Sequence, residues 1–545
     1  MATLPTEEPM VNKHIKVAVA VVAPLAVLGT FAAVMQSANA SPVALQPRVT
    51  LAGTVLPKLA QSTRVGDVPA DKQLSIAVSM TPSNAKDLDQ FVKQVSDPQS
   101  PMYGQYLTPQ QFSAKYGASQ NQIDQLTTYL KSKGLTVDSV ASNHLIVDAS
   151  GPASAMEETF GSKISDRRDA NGQQYYANDS ALTLPGNLAS AVADVAGLDN
   201  HRKLTHPPLK QRAVRGVTPA NLTGAYDVKG LNATGAGQQV AVFELDAFQQ
   251  QNIDAYDQQF GLKPPTPIVK KVDGGVALGE GQTEVELDIE AIQAIAPQAQ
   301  QTIFEGPNSN KGVIDTYAAI VNSKIPVVSI SWGGPEEAGS QADIQAQDTL
   351  YKQAAAQGQT LFAASGDSGS DDIGNGGTSV DFPASDPFIT GTGGTHLVVG
   401  ANNARTSETG WDGSGGGNSK IFAAPDYQAS LGSKVRMVPD IAADADPATG
   451  LAVFSKGQFG VVGGTSAAAP QWAGFTALYN QLAKAAGKPN LGFANPALYK
   501  LAGTAALHDI TSGSNGAFTA AKGYDRVTGN GSFDAVKFIQ AMLGN

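Results

Sequence analysis

The stretch KGVIDTYAAIVNSKIPVVSISWGGPEEAGSQADIQAQDTLYKQAAAQGQTLFAA, residues 311–364, alternates two helix-length runs with two short apolar runs. Residues 311–322 and 341–357 read as helices, and 326–331 (PVVSIS) and 360–364 (TLFAA) as strands bounded by turn residues. A strand that is apolar throughout is one buried on both faces. Buried strands alternating with helices build a parallel sheet covered by helices on both sides. Upstream, 239–245 (QVAVFEL) and 301–304 (QTIF) extend the same pattern, which begins near Val217. The expected fold class is therefore α/β. No internal repeat interrupts it.

Immediately beyond the last strand comes SGDSG, residues 365–369. Functional groups in parallel α/β sheets collect at the carboxyl ends of strands, so Asp367 is a candidate. An aspartate in an ordinary turn is the plainer alternative. Further on, GGTSAAAP (463–470) opens a run that reads as a helix, with Pro470 near its start. Small neighbours let backbone approach Ser466, and a helix N-terminus favours developing negative charge. The competing reading is a serine N-cap. Upstream, TEVELDIE (283–290) places Glu284 and Asp288 at i and i+4 if it is helical, with Glu286 and Glu290 on another face. Two carboxylates so close push one apparent pKa up, which tunes a carboxylate to act as general base toward a serine in acid. The same octet alternates with period two, so a strand remains open.

A histidine base is poorly supported. Of six histidines, His14, His144, His201 and His206 precede the α/β region. His396 lies in an apolar GGTHLVVG run and His508 beside an Asp-Ile pair, neither in a Gly-rich histidine motif.

The chain has 545 residues, a formal net charge of −11 and no cysteine. The length calls for two or three domains. An acidic balance excludes nucleic acid as the default partner, because phosphate binding needs a basic face. The absence of cysteine excludes disulfides, thiol nucleophiles and cysteine-ligated zinc. Lys13, His14 and Lys16 precede an apolar run over 17–34, closed by Ala38-Asn39-Ala40 and then Ser41. This is a secretory signal over 1–40, with an uncleaved membrane anchor as the alternative. A region of mixed strands (74–80, 144–149) and helices (84–95, 108–116, 120–133) follows and reads as α+β. The stretch HRKLTHPPLKQRAVRG (201–216) has no acidic residue and reads as an exposed linker, a place where chains are nicked.

Ser466 in GGTSAAAP, Glu284 and Asp288 in EVELD, Asp367 in SGDSG, and SWGG at 331–334 occur together and in one order. The combination resembles the sedolisins, the serine-carboxyl peptidases, of the kumamolisin and pseudomonalisin type. Residues 96–117, 216–228, 381–384 (DFPA) and 436–446 (RMVPDIAADAD) add to the resemblance, which spans nearly the whole chain after the signal. It implies a subtilisin-like catalytic domain at 217–545, preceded by an activation prodomain at 41–200 and a processing linker at 201–216. It further implies a secreted, acid-acting endopeptidase made as a self-processing zymogen. Ser466 would be the nucleophile, Glu284 the general base, Asp288 its hydrogen-bonded orienter, and protonated Asp367 the donor to the oxyanion. Glu244 and Trp332 would extend the network behind Glu284, and Asp381 would line a substrate pocket. One Ca2+ ion would be held by Asp509 and Asp525 with the carbonyls of Ile510, Ala521 and Gly523, a hard-oxygen set. Partners implied are protein or peptide substrates and the chain's own prodomain in cis, with no membrane association after signal removal and a monomer as the family-like default. Other readings are an exopeptidase releasing tripeptides, a catalytically silent binding protein, and a subtilisin-like enzyme using His396 or His508.

Overall fold

The computed structural model describes residues 46–206 and 216–544. The secretory signal expected at 1–40 and residues 207–215 of the linker lie outside them. The described residues belong to one compact unit.

Its centre is an eight-stranded sheet. In chain order the strands are β1 (Gln239–Glu244), β2 (Ile268–Lys271), β3 (Gln300–Glu305), β4 (Val327–Ile330), β5 (Thr360–Ala364), β6 (Thr390–Val399), β7 (Arg405–Gly410) and β8 (Ile441–Asp444). The spatial order is β2-β3-β1-β4-β5-β6-β7, with β8 also paired to β6. Every pairing is parallel except β6 with β7. The expected α/β class therefore holds, with one antiparallel strand at the edge.

Strand periodicity divides the core. Val240 and Val242 of β1 face one layer, containing α1 (Gln282–Ile295) and α4 (Thr465–Ala485). Ala241 and Phe243 face the opposite layer, with α2 (Asn310–Ser323) and α3 (Gln341–Ala356). The apolar runs read from sequence match these strands and helices to within one or two residues. The octet 283–290 is a helix: all of α1 is buried, packed between the sheet, α4 and the strand Leu451–Ser455. Burial on every side removes the polar face that a helical period would have shown.

The N-terminal region is α+β, as expected. Its antiparallel sheet runs Thr136–Val140, Ile146–Pro152, Gln73–Met80, Val192–Ala196 in spatial order. It lies on α2 and α3, where Phe91, Val92, Phe112 and Leu145 share one core with Tyr317, Ile344 and Leu350. Tyr106 seals this contact. A Cβ at Gly358 would fall 2.2 Å from its ring and one at Gly492 2.0 Å from its hydroxyl, so two glycines make room for one aromatic side chain.

One expectation fails. The linker is not exposed throughout: over residues 201–206 Lys203 and Thr205 are exposed, but Arg202 and Leu204 are buried, and Thr205 pairs with Gly333 through two backbone hydrogen bonds of 2.9 and 3.1 Å. Apolar and hydrogen-bonding partners on the α/β region hold a basic segment that composition alone assigns to solvent.

Candidate active site

The sheet brings the predicted residues to one edge. Glu244 ends β1, Ser331 and Trp332 follow β4, and Asp367 follows β5. These are carboxyl ends of adjacent parallel strands, the usual place for a site in such a sheet. Ser466 sits in the first turn of α4 behind Gly464, whose φ of 126° no L side chain adopts readily. Glu284 and Asp288 reach the same place from α1, which packs along α4.

Ser466, Glu284, Asp288 and Glu244 are all fully buried. The Ser466 hydroxyl lies 3.5 Å from the Ser331 carbonyl oxygen. Pro470 has no N–H to bond the Ser466 carbonyl four residues back, and the Ser331 hydroxyl approaches that carbonyl at 3.3 Å. The principal partner of the Ser331 hydroxyl is the Asp288 carboxylate, at 2.8 and 2.9 Å. Asp288 was expected to hydrogen-bond Glu284. Here its oxygens take the Ser331 hydroxyl instead, and neither Glu284 oxygen has a hydrogen bond of normal geometry. Ser331 is thus a site residue that the sequence does not single out, although it stands in the SWGG motif.

Burial raises the Glu284 carboxyl well above its usual range, and the neighbouring Asp288 charge raises it further, against the pull of Ser466 and Ser331. Burial likewise raises Asp288 and Glu244. Glu244 accepts a 2.8 Å hydrogen bond from Trp332 Nε1, while its other oxygen and both Glu284 oxygens have no hydrogen-bond partner, so no hydrogen bond joins this pair to Glu284. Asp367 Oδ1 accepts from the Thr465 N–H at 2.7 Å and the Thr465 hydroxyl at 2.9 Å, which fixes the carboxyl beside the residue preceding Ser466.

Asp381 lies beneath Gly333. A Cβ on Gly333 would be 2.0 Å from Asp381 Oδ1, so this strand end needs glycine to pass over the carboxylate. Burial, followed by the nearby Asp372 charge, raises the Asp381 carboxyl.

The histidine that reaches the site is His206, from the linker. Its Nδ1 is 3.7 Å from Glu284 Oε2, and its ring stands edge-on to Trp332 at 5.0 Å. His396 instead contacts Asp446 at 2.7 Å, and His508 pairs with Ser532 in a short strand.

The predicted calcium residues come together in one loop cluster. The Asp509 carboxylate accepts from the Gly523 N–H, and Asp525 Oδ2 from the Ala521 N–H. Among the described residues no group of three or more His, Cys, Asp or Glu side chains is placed to hold a metal. A site here would draw on two carboxylates and main-chain oxygens.

Two family models match the chain: the Pro-kumamolisin activation domain over residues 60–201 and the Subtilase family over 274–530. Kumamolisin from Bacillus sp. (strain MN-32) is 33% identical, covering 91% of this chain and 97% of that protein. Sedolisin from Pseudomonas sp. (strain 101) is 28% identical over 88% of this chain and 89% of that protein. The solved structure of Pseudomonas sedolisin, a serine-carboxyl proteinase complexed with two molecules of pseudo-iodotyrostatin, matches with a TM-score of 0.57 and 28% identity, covering 61% of this chain and all of that one. Similarity over nearly the full length of both chains, together with an activation domain ahead of the parallel sheet, makes this chain a member of the sedolisin family, the serine-carboxyl peptidases.

Proposed function

We propose that the chain is the zymogen of a secreted, acid-acting endopeptidase that cuts its own linker before it cuts other proteins. The observation that carries this reading is the path of residues 202–206. The segment lies extended along the site, Thr205 bonded to Gly333 and His206 beside Glu284. It occupies the cleft as a substrate strand would.

In the proposed mechanism Ser466 Oγ attacks the carbonyl carbon of the scissile bond and its proton passes to Glu284. Asp367, protonated in acid, donates a hydrogen bond to the oxyanion of the tetrahedral intermediate. As the C–N bond breaks, Glu284 returns the proton to the leaving amine. Water then releases the acyl group by the same steps in reverse roles. Asp288 acts on Glu284 through its charge and through Ser331. Asp381 lines the cleft under Gly333. The linker is cut between Thr205 and Val217, separating residues 41–200 as prodomain from 217–545 as mature enzyme. An endopeptidase is favoured over a tripeptidase because the segment runs unbroken from Arg202 back into the N-terminal sheet, so the cleft accepts chain beyond three residues.

The export signal at 1–40 is part of the same proposal. Among the described residues no helix is long and apolar enough to cross a membrane. Calcium belongs to it as well: Asp509 and Asp525, with the carbonyls of Ile510, Ala521 and Gly523, would hold one ion, which would tie the loop of residues 509–525 together in a protein without disulfides.

The test is incubation of purified wild type and Ser466→Ala at about pH 4 and about pH 7, where clustered carboxyl groups change protonation. Wild type alone, and only in acid, should trim itself and digest an unstructured protein. Trimming by the alanine variant, or none by wild type at either pH, would sink the proposal.

A further inference from the structure

The segment in the cleft is gripped beyond the reacting groups. Leu204 N–H donates to Asn308 Oδ1 at 3.1 Å, and Asn308 Nδ2 donates to the Leu204 carbonyl at 2.8 Å. One side-chain amide thus satisfies both main-chain groups of a single residue, as a neighbouring strand would. Gly333 does the same for Thr205 through its backbone. Consecutive residues of the segment are therefore clamped by two different elements, Gly333 after β4 and Asn308 before α2. The Leu204 side chain is buried, and Asn308, Val313, Asp343 and Gln347 border the space around it.

Two residues earlier, Arg202 is buried too. Its Nη1 is 3.3 Å from Asp343 Oδ2, and its guanidinium carbon sits 5.5 Å from the centre of the Phe382 ring. Asp343 is 4% exposed, is held by Gln347 Nε2 at 3.1 Å, and its Oδ1 has no hydrogen-bond partner. Arg202 leaves Nε and Nη2 unbonded, so the fork is not fully engaged. The two side chains therefore meet through one contact, and a buried carboxyl with an unused oxygen faces a buried guanidinium with two unused nitrogens, a site shaped for an arginine that a freely bound peptide could engage more fully.

When the linker is cut and the N-terminal region departs, Asn308 and Asp343 lose these partners and become part of the open cleft. We infer that in the mature enzyme Asn308 and Asp343 read the substrate: Asn308 clamps the backbone of the residue before the one paired to Gly333, with an apolar side chain there, and Asp343 takes an arginine two residues further toward the N-terminus. The favoured substrate is an extended peptide with the pattern Arg-x-Leu-x leading into the catalytic site, the pattern the chain carries at 202–205. This rests on the peptidase reading above and names its substrate class.

The test uses acid-processed wild type and internally quenched peptides built on HRKLTHPPLK, residues 201–210. The arginine position carries Arg or its neutral isostere citrulline, and the leucine position Leu or Ala. Citrulline should lower kcat/KM about tenfold through KM, the scale of one charge-assisted hydrogen bond. Asp343→Asn should erase the Arg/citrulline ratio and keep the Leu/Ala ratio. Asn308→Ala should raise KM for the long peptides and leave kcat near wild type, with no effect on a peptide beginning at the Thr205 position. Equal rates with Arg and citrulline in wild type would overturn the arginine subsite even if Asp343→Asn does not fold. An unchanged KM in Asn308→Ala would overturn the clamp. Wild type that digests an unstructured protein but shows neither preference refutes this inference alone, whereas wild type inert in acid refutes the peptidase reading and this inference with it.

Discussion

At Ser466 the hydroxyl is held at the edge of hydrogen-bonding range from Ser331, while the Glu284 carboxyl has no hydrogen bond of normal geometry and faces His206 Nδ1 at 3.7 Å. A base left in this way accepts a proton readily when a substrate carbonyl draws the serine forward. Burial sets the high pKa of Glu284 and the Asp288 charge adds to it. Removing that charge lowers the Glu284 pKa, so Glu284 ionises at lower pH. Asp288→Asn should therefore move the acid limb of the kcat/KM profile to lower pH while reducing kcat; an acid limb that stays in place would show that Asp288 does not act through charge. Ser466, Glu284, Asp288 and Asp367 stand out in the sequence because each lies in a short motif with a chemical reason for its residue type, but each motif alone has an ordinary alternative, and their roles come from the resemblance of the four together. Ser331, Asn308 and His206 do not stand out. A serine at a strand end, an asparagine before a helix and a histidine in a basic linker each have an ordinary explanation; the hydrogen bonds to Asp288 give Ser331 another, and the folded path of 202–206 gives Asn308 and His206 theirs.

Among the elements, α1 shows the limit of periodicity most clearly. Its charged residues point both ways: Glu284 and Asp288 toward Ser466 and Ser331, and Glu286 and Glu290 toward backbone amides of Gln249 and Phe454. Polar groups on both faces of a buried helix imitate an alternating strand. The short apolar strands of the sheet were legible for the opposite reason, since both of their faces meet helices. A calcium site around Asp509 and Asp525 is suggested only by the resemblance, because beside two aspartates its ligands would be carbonyls, which any residue supplies. If it holds calcium as proposed, a chelator should lower the Tm of Ser466→Ala, added Ca2+ should restore it, and Asp525→Asn should lose the response. A Tm indifferent to chelator would remove calcium from the account.

The whole molecule buries an unusual number of carboxyl groups, and their pH dependence has a definite sign. Burial raises Glu244, Glu284, Asp288 and Glu290, pushes Asp194 up to about 8 and Asp199 up to about 6. In the unfolded chain such groups titrate near about 4. A folded pKa above the unfolded one gives stability that is complete below the unfolded value and is lost as pH rises through the folded value. Asp97, paired with Lys500 across the contact between the N-terminal and α/β regions, is lowered and works the other way, losing its contribution as pH falls. Being exposed, that pair is worth at most about 1 kcal/mol. The Tm of Ser466→Ala should therefore fall between about pH 5 and about pH 8, whereas a Tm that climbs across this range would contradict the burial assigned to these groups. The two-region organisation was visible in the sequence as a change of pattern near Val217. The close docking of the regions was not, because Tyr106, Gly358 and Gly492 carry no pattern until they meet.

The central claim is that a carboxylate, Glu284, takes the proton from Ser466. The most direct measurement is the pH dependence of kcat/KM for acid-processed wild type with one peptide substrate, beside that of Glu284→Gln processed in trans by a trace of wild type. The account predicts an acid optimum for wild type, and for the glutamine variant a loss of about 10²–10⁴-fold at every pH, the usual contribution of a general base. A Glu284→Gln enzyme that keeps its rate, or a wild type fastest near neutrality and abolished by His396→Ala, would contradict it.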